Sequence, residues 1–134
     1  MAKLFSLNAS ERLKCRKLME RVFKTGTRWN KFPFRVSFLI ENEPGDSFIK
    51  FGCSAPIRNF KKAVDRNRVK RLMKEAFRLK KNLLAEQLKQ KNARLVIFVI
   101  YTSPDLPKFE IIKTSIKELV LKLKDEIQKH EANI

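Results

Sequence analysis

KKAVDRNRVKRLMKEAFRLKK, residues 61–81, carries ten Lys or Arg among 21 positions and only two acids, Asp65 and Glu75. The same stretch has a helical apolar period: Val69, Leu72, Met73, Ala76 and Phe77, continued by Leu83, Leu84 and Leu88. At about 100° per residue these side chains share one stripe. Asn67, Lys70, Arg71, Lys74, Arg78 and Lys81 fall on a neighbouring stripe. One helix therefore offers an apolar face to a core and a cationic face to a polyanion.

The whole chain shares that sign. Its 134 residues suit one domain with a real core, 43% of them are hydrophobic, and 31 Lys+Arg against 14 Asp+Glu leave a net charge of +17. A field of this size favours polyanions, and nucleic acid is the usual partner of a domain this basic. The longest apolar run, Leu95–Tyr101, is too short to span a bilayer. The start, MAKLFSLNASERLK, has no signal-peptide apolar segment. Cys15 and Cys53 lie far apart without metal-knuckle partners and read as reduced thiols of a cytoplasmic protein. His130 is the single histidine, which argues against a His-based catalytic or zinc site.

Outward from the basic stretch, residues 1–9 read as irregular and 130–134 as a flexible tail. Ser10 is a candidate N-cap for a first helix with apolar positions Leu13, Leu18, Met19, Val22 and Phe23, ending at Gly26. A loop holding Trp29 and Pro33 leads to Phe34–Glu41, where Phe34, Val36 and Phe38 alternate with Arg35 and Ser37 as in a half-buried strand. Asn42–Asp46 is a turn, and Ser47–Ala55 returns as a second strand, so the two are expected to form a hairpin. The basic helix is expected from Lys61–Asp65 to about Lys91, with Asn92 as its stop. Leu95–Tyr101, LVIFVIY, has no polar break and reads as a central strand covered on both faces. Lys108–Lys129 is a second long amphipathic helix. The order helix, strand, strand, helix, strand, helix gives a single domain over 1–134: one sheet packed against helices.

Two candidate surfaces follow. The first is Lys61, Lys62, Arg66, Asn67, Arg68, Lys70, Arg71 and Lys74. Its charge is barely offset by acids at helical spacing, so ordinary ion pairing along a helix does not explain it. Guanidinium groups hold phosphate oxygens in bidentate fashion, and Asn67 can meet a base edge or a 2′-hydroxyl. The second is the wet face of the strands, Arg35, Ser37, Lys50, Gly52 and Ser54, as the floor of a shallow groove for single-stranded nucleic acid. Phe23 and Met19 of the first helix form its apolar wall. No acidic cluster suggests two-metal chemistry, and Cys53 and Ser54 have no base partner in sequence, so no catalytic residue and no metal ligand is expected in the protein.

The run Arg66-Asn67-Arg68-Val69-Lys70-Arg71-Leu72, continued to Ala76-Phe77, resembles the signature helix of the protein component of bacterial ribonuclease P. Arg12-Leu13-Lys14 leading to Val22-Phe23-Lys24 and Gly26 is similar to that family's first helix, and Phe51-Gly52-Cys53-Ser54 to its second strand. The resemblance covers nearly the whole chain. It implies an α+β fold of order αββαβα, a mixed β-sheet packed against helices, with a left-handed βαβ crossover as in ribosomal protein S5 domain 2. The usual handedness rule alone points to a right-handed one. It implies a catalytic RNA as partner, with Mg²⁺ required by that RNA and no cofactor bound by the protein. It implies that the basic-helix residues contact RNA. The groove is then the cleft for the 5′ leader of precursor tRNA, with no membrane and no obligate protein partner. Met19 stands where the family often has a second cleft phenylalanine, and Ser37 where an aromatic is common. The loop Pro56–Lys62 is slightly longer than in some members. The rival readings are a basic ribosomal or RNA-chaperone protein without a cleavage role, and a DNA-binding regulator, which would need a short preceding helix and tight turn that this sequence lacks.

Overall fold

A computed structural model describes residues 12–13, 15–42, 47–58 and 60–129. The expectations for Ser10 as an N-cap, for the ends 1–9 and 130–134 and for most of the turn before Ser47 lie outside these residues. The elements run α1 (Arg16–Thr25), β1 (Thr27–Lys31), β2 (Phe34–Glu41), β3 (Ile49–Ser54), α2 (Ala63–Lys80), α3 (Asn82–Lys91), β4 (Arg94–Tyr101) and α4 (Phe109–Lys129). The sheet has the order β1-β2-β4-β3.

β4 is what separates this topology from the expected one. Leu95, Val96, Ile97, Val99 and Tyr101 are all buried. A strand that apolar is most stable with neighbours on both edges and layers on both faces. β4 takes the place between β2, to which it is antiparallel, and β3, to which it is parallel. The β2–β3 hairpin is therefore not formed: its two strands flank β4 instead. The parallel β3–β4 pair needs a crossover, and α2 with α3 supplies it.

A further strand stands where a loop was expected. Thr27–Lys31 pairs antiparallel with residues 34–38 of β2 in strict register, Thr27 opposite Phe38 and Lys31 opposite Phe34. The hairpin turns at a cis Phe32–Pro33 bond. Its short length and four polar residues in five hide it from a search for apolar alternation; only Trp29 points to the core, its ring 4.5 Å from that of Phe38.

The main core lies on one face of the sheet. Phe34, Val36, Phe38, Ile49, Phe51, Leu95, Ile97 and Val99 meet Val69, Met73 and Phe77 of α2, Leu84 and Leu88 of α3, and Ile112, Ile116, Leu119, Leu123 and Ile127 of α4. Phe51 and Phe77 stack with centroids 4.2 Å apart. The expected helix to Lys91 is interrupted at Lys81, which keeps right-handed helical angles and is only 6% exposed. Lys81 thus leaves the cationic surface assigned to it. Asn92 does stop α3, in the left-handed region at φ 51°.

The other face is covered only in part. α1 seals Val96 beneath Leu18 and Val22, with Leu13 beside them and Met19, Leu39 and Phe98 packed around. This helix begins later than expected. Arg12 and Leu13 are extended: Arg12 bridges Phe51 in parallel and the Leu13 amide donates to the Phe51 carbonyl at 2.9 Å. Gly26 ends α1 in an extended conformation, with its amide donating to Val22 O. A Cβ there would lie 2.4 Å from Val22 O and 2.6 Å from Phe38 O. Close backbone approach, not a left-handed turn, requires glycine.

Candidate nucleic-acid interface

Where α1 stops covering the sheet, two cross-strand rows remain. The register places Arg28, Ser37, Phe98 and Gly52 in one row and Asn30, Arg35, Ile100 and Ser54 in the next. Directly paired residues project to one face, so both rows point to the side of α1. Phe98 and Ile100 are half-buried, which corrects the expectation that β4 is covered on both faces along its whole length. Phe23 of α1 meets Phe98 edge-on, with centroids 5.2 Å apart and planes at 70°. Arg28 donates to the Phe23 carbonyl at 2.5 Å and places a cation at the C-terminal end of α1, where the helix dipole favours it. The result is a cleft with an aromatic step on one side and Arg35, Ile100 and Ser54 on its floor.

Gly52 and Ser37 flank Phe98. A Cβ on Gly52 would stand 2.8 Å from Phe98 Cδ2, so the absence of a side chain lets the ring lie flat in its row. Ser37 is 6% exposed, so it gives Phe98 room more than it gives a ligand a hydroxyl. Met19 packs with Leu18, Val22 and Phe98 at the base of the wall. Lys50 is elsewhere. It is opposite Val96, and with Arg94, Arg21, Lys17, Leu18 and Cys15 it lines an opening on the far side of α1. The strict alternation of Lys50, Gly52 and Ser54 put all three on one face correctly; α1 then divides that face. Phe98, Ile100 and Arg28 were missed because β4 read as uniformly buried and β1 as loop.

α2 presents the second surface. Val69, Met73, Ala76 and Phe77 face the core, and Lys61, Lys62, Asn67, Arg68, Arg71 and Lys74 are exposed, with Lys70 half-buried. Arg66 differs from its neighbours. Its Nη1 donates to Phe60 O at 2.9 Å and to Lys61 O at 3.0 Å, tying the connector to the first turn of α2. Phe60 in turn is buried, its ring stacked 5.9 Å from Tyr101. Arg78 pairs with Glu75, which holds that carboxyl below its usual range mainly through their hydrogen bond. Arg68, Arg71 and Lys74 stand exposed along the outer stripe of α2.

Cys53 shows how closely α2 meets β3: its thiol donates to Lys70 O at 3.7 Å. Burial pushes the thiol up to about 11 against the lowering pull of Lys74 and Lys70. It is a packed thiol and no nucleophile at neutral pH. Among the described residues, no group of three or more His, Cys, Asp or Glu is placed to hold a metal ion, and no helix is long and apolar enough to cross a membrane.

The family model described as Ribonuclease P matches residues 7–124. The chain belongs to the ribonuclease P protein family. The Ribonuclease P protein components of two Porphyromonas gingivalis strains are each 32% identical to it over 119 residues, covering 89% of this chain and 87% of theirs. The RNase P protein of Staphylococcus aureus shares the fold, with a TM-score of 0.65 and 25% identity over 84% of this chain and 94% of that one. A second structure of the S. aureus protein gives a TM-score of 0.64 at 27% identity, covering 88% and 92%. The chain is thus an accessory protein subunit of the ribonuclease P endoribonuclease, with a role in tRNA processing. Family membership decides against the ribosomal, RNA-chaperone and DNA-binding alternatives.

Proposed function

We propose that the two surfaces divide the work of the holoenzyme. The exposed stripe of α2, with Arg68, Arg71, Lys74 and Asn67, binds the catalytic RNA, and the cleft at Phe23, Phe98, Arg35, Ile100 and Ser54 binds the 5′ leader of precursor tRNA. The observation that carries this reading is the Phe23–Phe98 step beside an exposed arginine: aromatic faces take bases and a cation follows the strand between them. In this reading the cleavage chemistry belongs to the RNA and the Mg²⁺ that the RNA requires. The protein offsets repulsion between two RNAs and positions the leader, and positioning alone can lower a barrier by several kcal/mol. The two free cysteines fit a reducing compartment, the cytoplasm.

The test is reconstitution with a ribonuclease P RNA at limiting Mg²⁺. The protein is expected to stimulate 5′ cleavage of precursor tRNA. No stimulation would overturn the proposal.

A further inference from the structure

On the face of the sheet opposite the cleft, two side chains of α4 reach β1. The side chains of β1 alternate: Arg28 and Asn30 project to the cleft, while Trp29 and Lys31, opposite the core residues Val36 and Phe34, project to the side of α4. There the Lys122 ammonium lies 4.2 Å from the centroid of the Trp29 ring, and the Lys31 ammonium donates to Glu118 Oε2 at 2.5 Å. We propose that Lys122 is a positioning residue for the leader cleft and acts through the sheet. By clamping Trp29 it fixes β1, and with β1 the Arg28 guanidinium that bonds the end of the Phe23 helix. The role rests on the cleft being the leader site.

β1 has little else to hold it. It is an edge strand of five residues, four of them polar. An element with few buried apolar contacts opens locally at low cost. Its one apolar side chain, Trp29, is half-buried and meets the Phe38 ring at 4.5 Å on the sheet and Lys122 on the helix. Glu118 and Lys122 are four apart on α4, with the spacing and order of an ordinary surface ion pair. The fold gives each a partner on β1 instead. The Lys31–Glu118 pair is the weaker tie, since its side chains are 30% and 54% exposed and water and salt screen it. A cation over an indole, the best of the aromatic faces, remains favourable at an exposed site.

From β1 the path to the cleft is short. Arg28 precedes Trp29, and its Nη2 donates to Phe23 O at 2.5 Å near the C-terminal end of α1. Phe23 in turn meets Phe98 edge-on. Fraying of β1 at Trp29 withdraws Arg28 from that carbonyl and loosens the ring that walls the cleft. Lys122 stands across the sheet from the cleft and acts on the leader only through β1.

Trp29 is the single tryptophan, so its fluorescence reports the clamp in the full chain without RNA. Acrylamide quenching of Trp29 and the NMR resonances of the Arg28 guanidinium are compared in wild type, Lys122→Met, Lys122→Arg and Lys113→Met, the last an exposed lysine of α4 used as the charge control. Lys122→Met is expected to raise the quenching constant and to shift the Arg28 resonances toward those of a free side chain. Lys122→Arg and the control are expected to match wild type. In the reconstituted holoenzyme Lys122→Met is expected to lower the preference for precursor over mature tRNA by about two- to fivefold, with Lys122→Arg restoring it and Lys113→Met leaving it unchanged. Unchanged quenching and unchanged Arg28 resonances in Lys122→Met would overturn the positioning role whatever the holoenzyme does. So would an equal loss of preference in Lys113→Met, which is an effect of charge alone. Phe23→Ala in the same assay separates this role from the cleft itself. A preference lost with Phe23→Ala but kept with Lys122→Met removes Lys122 and leaves the cleft standing, whereas a preference kept in both overturns the cleft as well.

Discussion

Phe23 of α1 stands edge-on to Phe98 of β4, with ring centroids 5.2 Å apart. The contact joins the helix that walls the cleft to the central strand that floors it. An edge-to-face pair contributes about 0.5–1.5 kcal/mol beyond its buried area, so it holds the wall at a set height above the floor. Truncating either ring removes both a stacking surface and the support of the other.

Phe98→Ala is therefore expected to weaken precursor tRNA binding as Phe23→Ala does, although Phe98 is not legible as a site residue in the sequence. Base stacking of about 1–3 kcal/mol corresponds to roughly 5- to 150-fold in affinity. Mature tRNA binding should be unchanged. Filter binding of the reconstituted holoenzyme to both tRNA forms checks this.

Arg66 and Arg68 should separate. Arg66→Ala loses two charge-assisted bonds to the carbonyls of Phe60 and Lys61 and is expected to lower stability by about 1.5–3 kcal/mol. Arg68→Ala, at an exposed position, should stay within about 0.5 kcal/mol of wild type while weakening RNA assembly. Urea unfolding alongside RNA binding distinguishes the two. Equal stability losses would remove the structural role given to Arg66.

The two structural glycines make different demands. At Gly26 an added methyl meets two backbone carbonyls, at Gly52 mainly the ring of Phe98. Gly26→Ala is expected to be the more destabilising, at or above the upper end of the usual overpacking cost of about 1–3 kcal/mol. Gly52→Ala should fall lower in that range and should tilt Phe98, with a loss in leader affinity that Gly26→Ala does not share at equal folded fraction. Thermal unfolding and leader binding together check the pair.

The cysteines should react at very different rates. With its thiol pushed up to about 11, Cys53 is about 0.1% thiolate at pH 8, while Cys15 is exposed. Iodoacetamide at pH 8 is expected to label Cys15 first and Cys53 only on unfolding, as read by mass spectrometry. The raised value also has a sign for stability. Between the ordinary thiol value and about 11 the folded state holds a proton that the unfolded state has released, so this group's contribution falls as pH rises through that window.

Much of this arrangement is visible before any coordinates. The stripe of Val69, Met73, Ala76 and Phe77 and the cationic stripe beside it follow from helical period alone, as does the buried face of α4. Pairing is less visible. Alternation in Phe34–Glu41 and Ile49–Ser54 shows that both are strands and says nothing of which strand lies between them. Yet LVIFVIY already demanded two neighbours, and a central strand in so small a sheet had to separate the other two. β1 has only Trp29 as an apolar anchor, so its hairpin is stabilised by register and by Trp29 against Phe38. The cleft was half legible: alternation put Arg35, Ser37, Lys50 and Ser54 on one face, but where α1 crosses that face depends on tertiary packing. That crossing moves Lys50 to the far side and leaves Phe98 and Ile100 open.

The most direct test of the division of labour compares two variants in one assay. Dissociation constants of the holoenzyme for precursor and mature tRNA are measured for Phe23→Ala and for Arg68→Ala with the RNA saturated by protein. The account predicts that Phe23→Ala lowers the preference for precursor over mature tRNA by fivefold or more, while Arg68→Ala leaves that preference unchanged and raises only the protein concentration needed for assembly. Equal loss for both tRNA forms in Phe23→Ala, or a lost preference in Arg68→Ala, would contradict it.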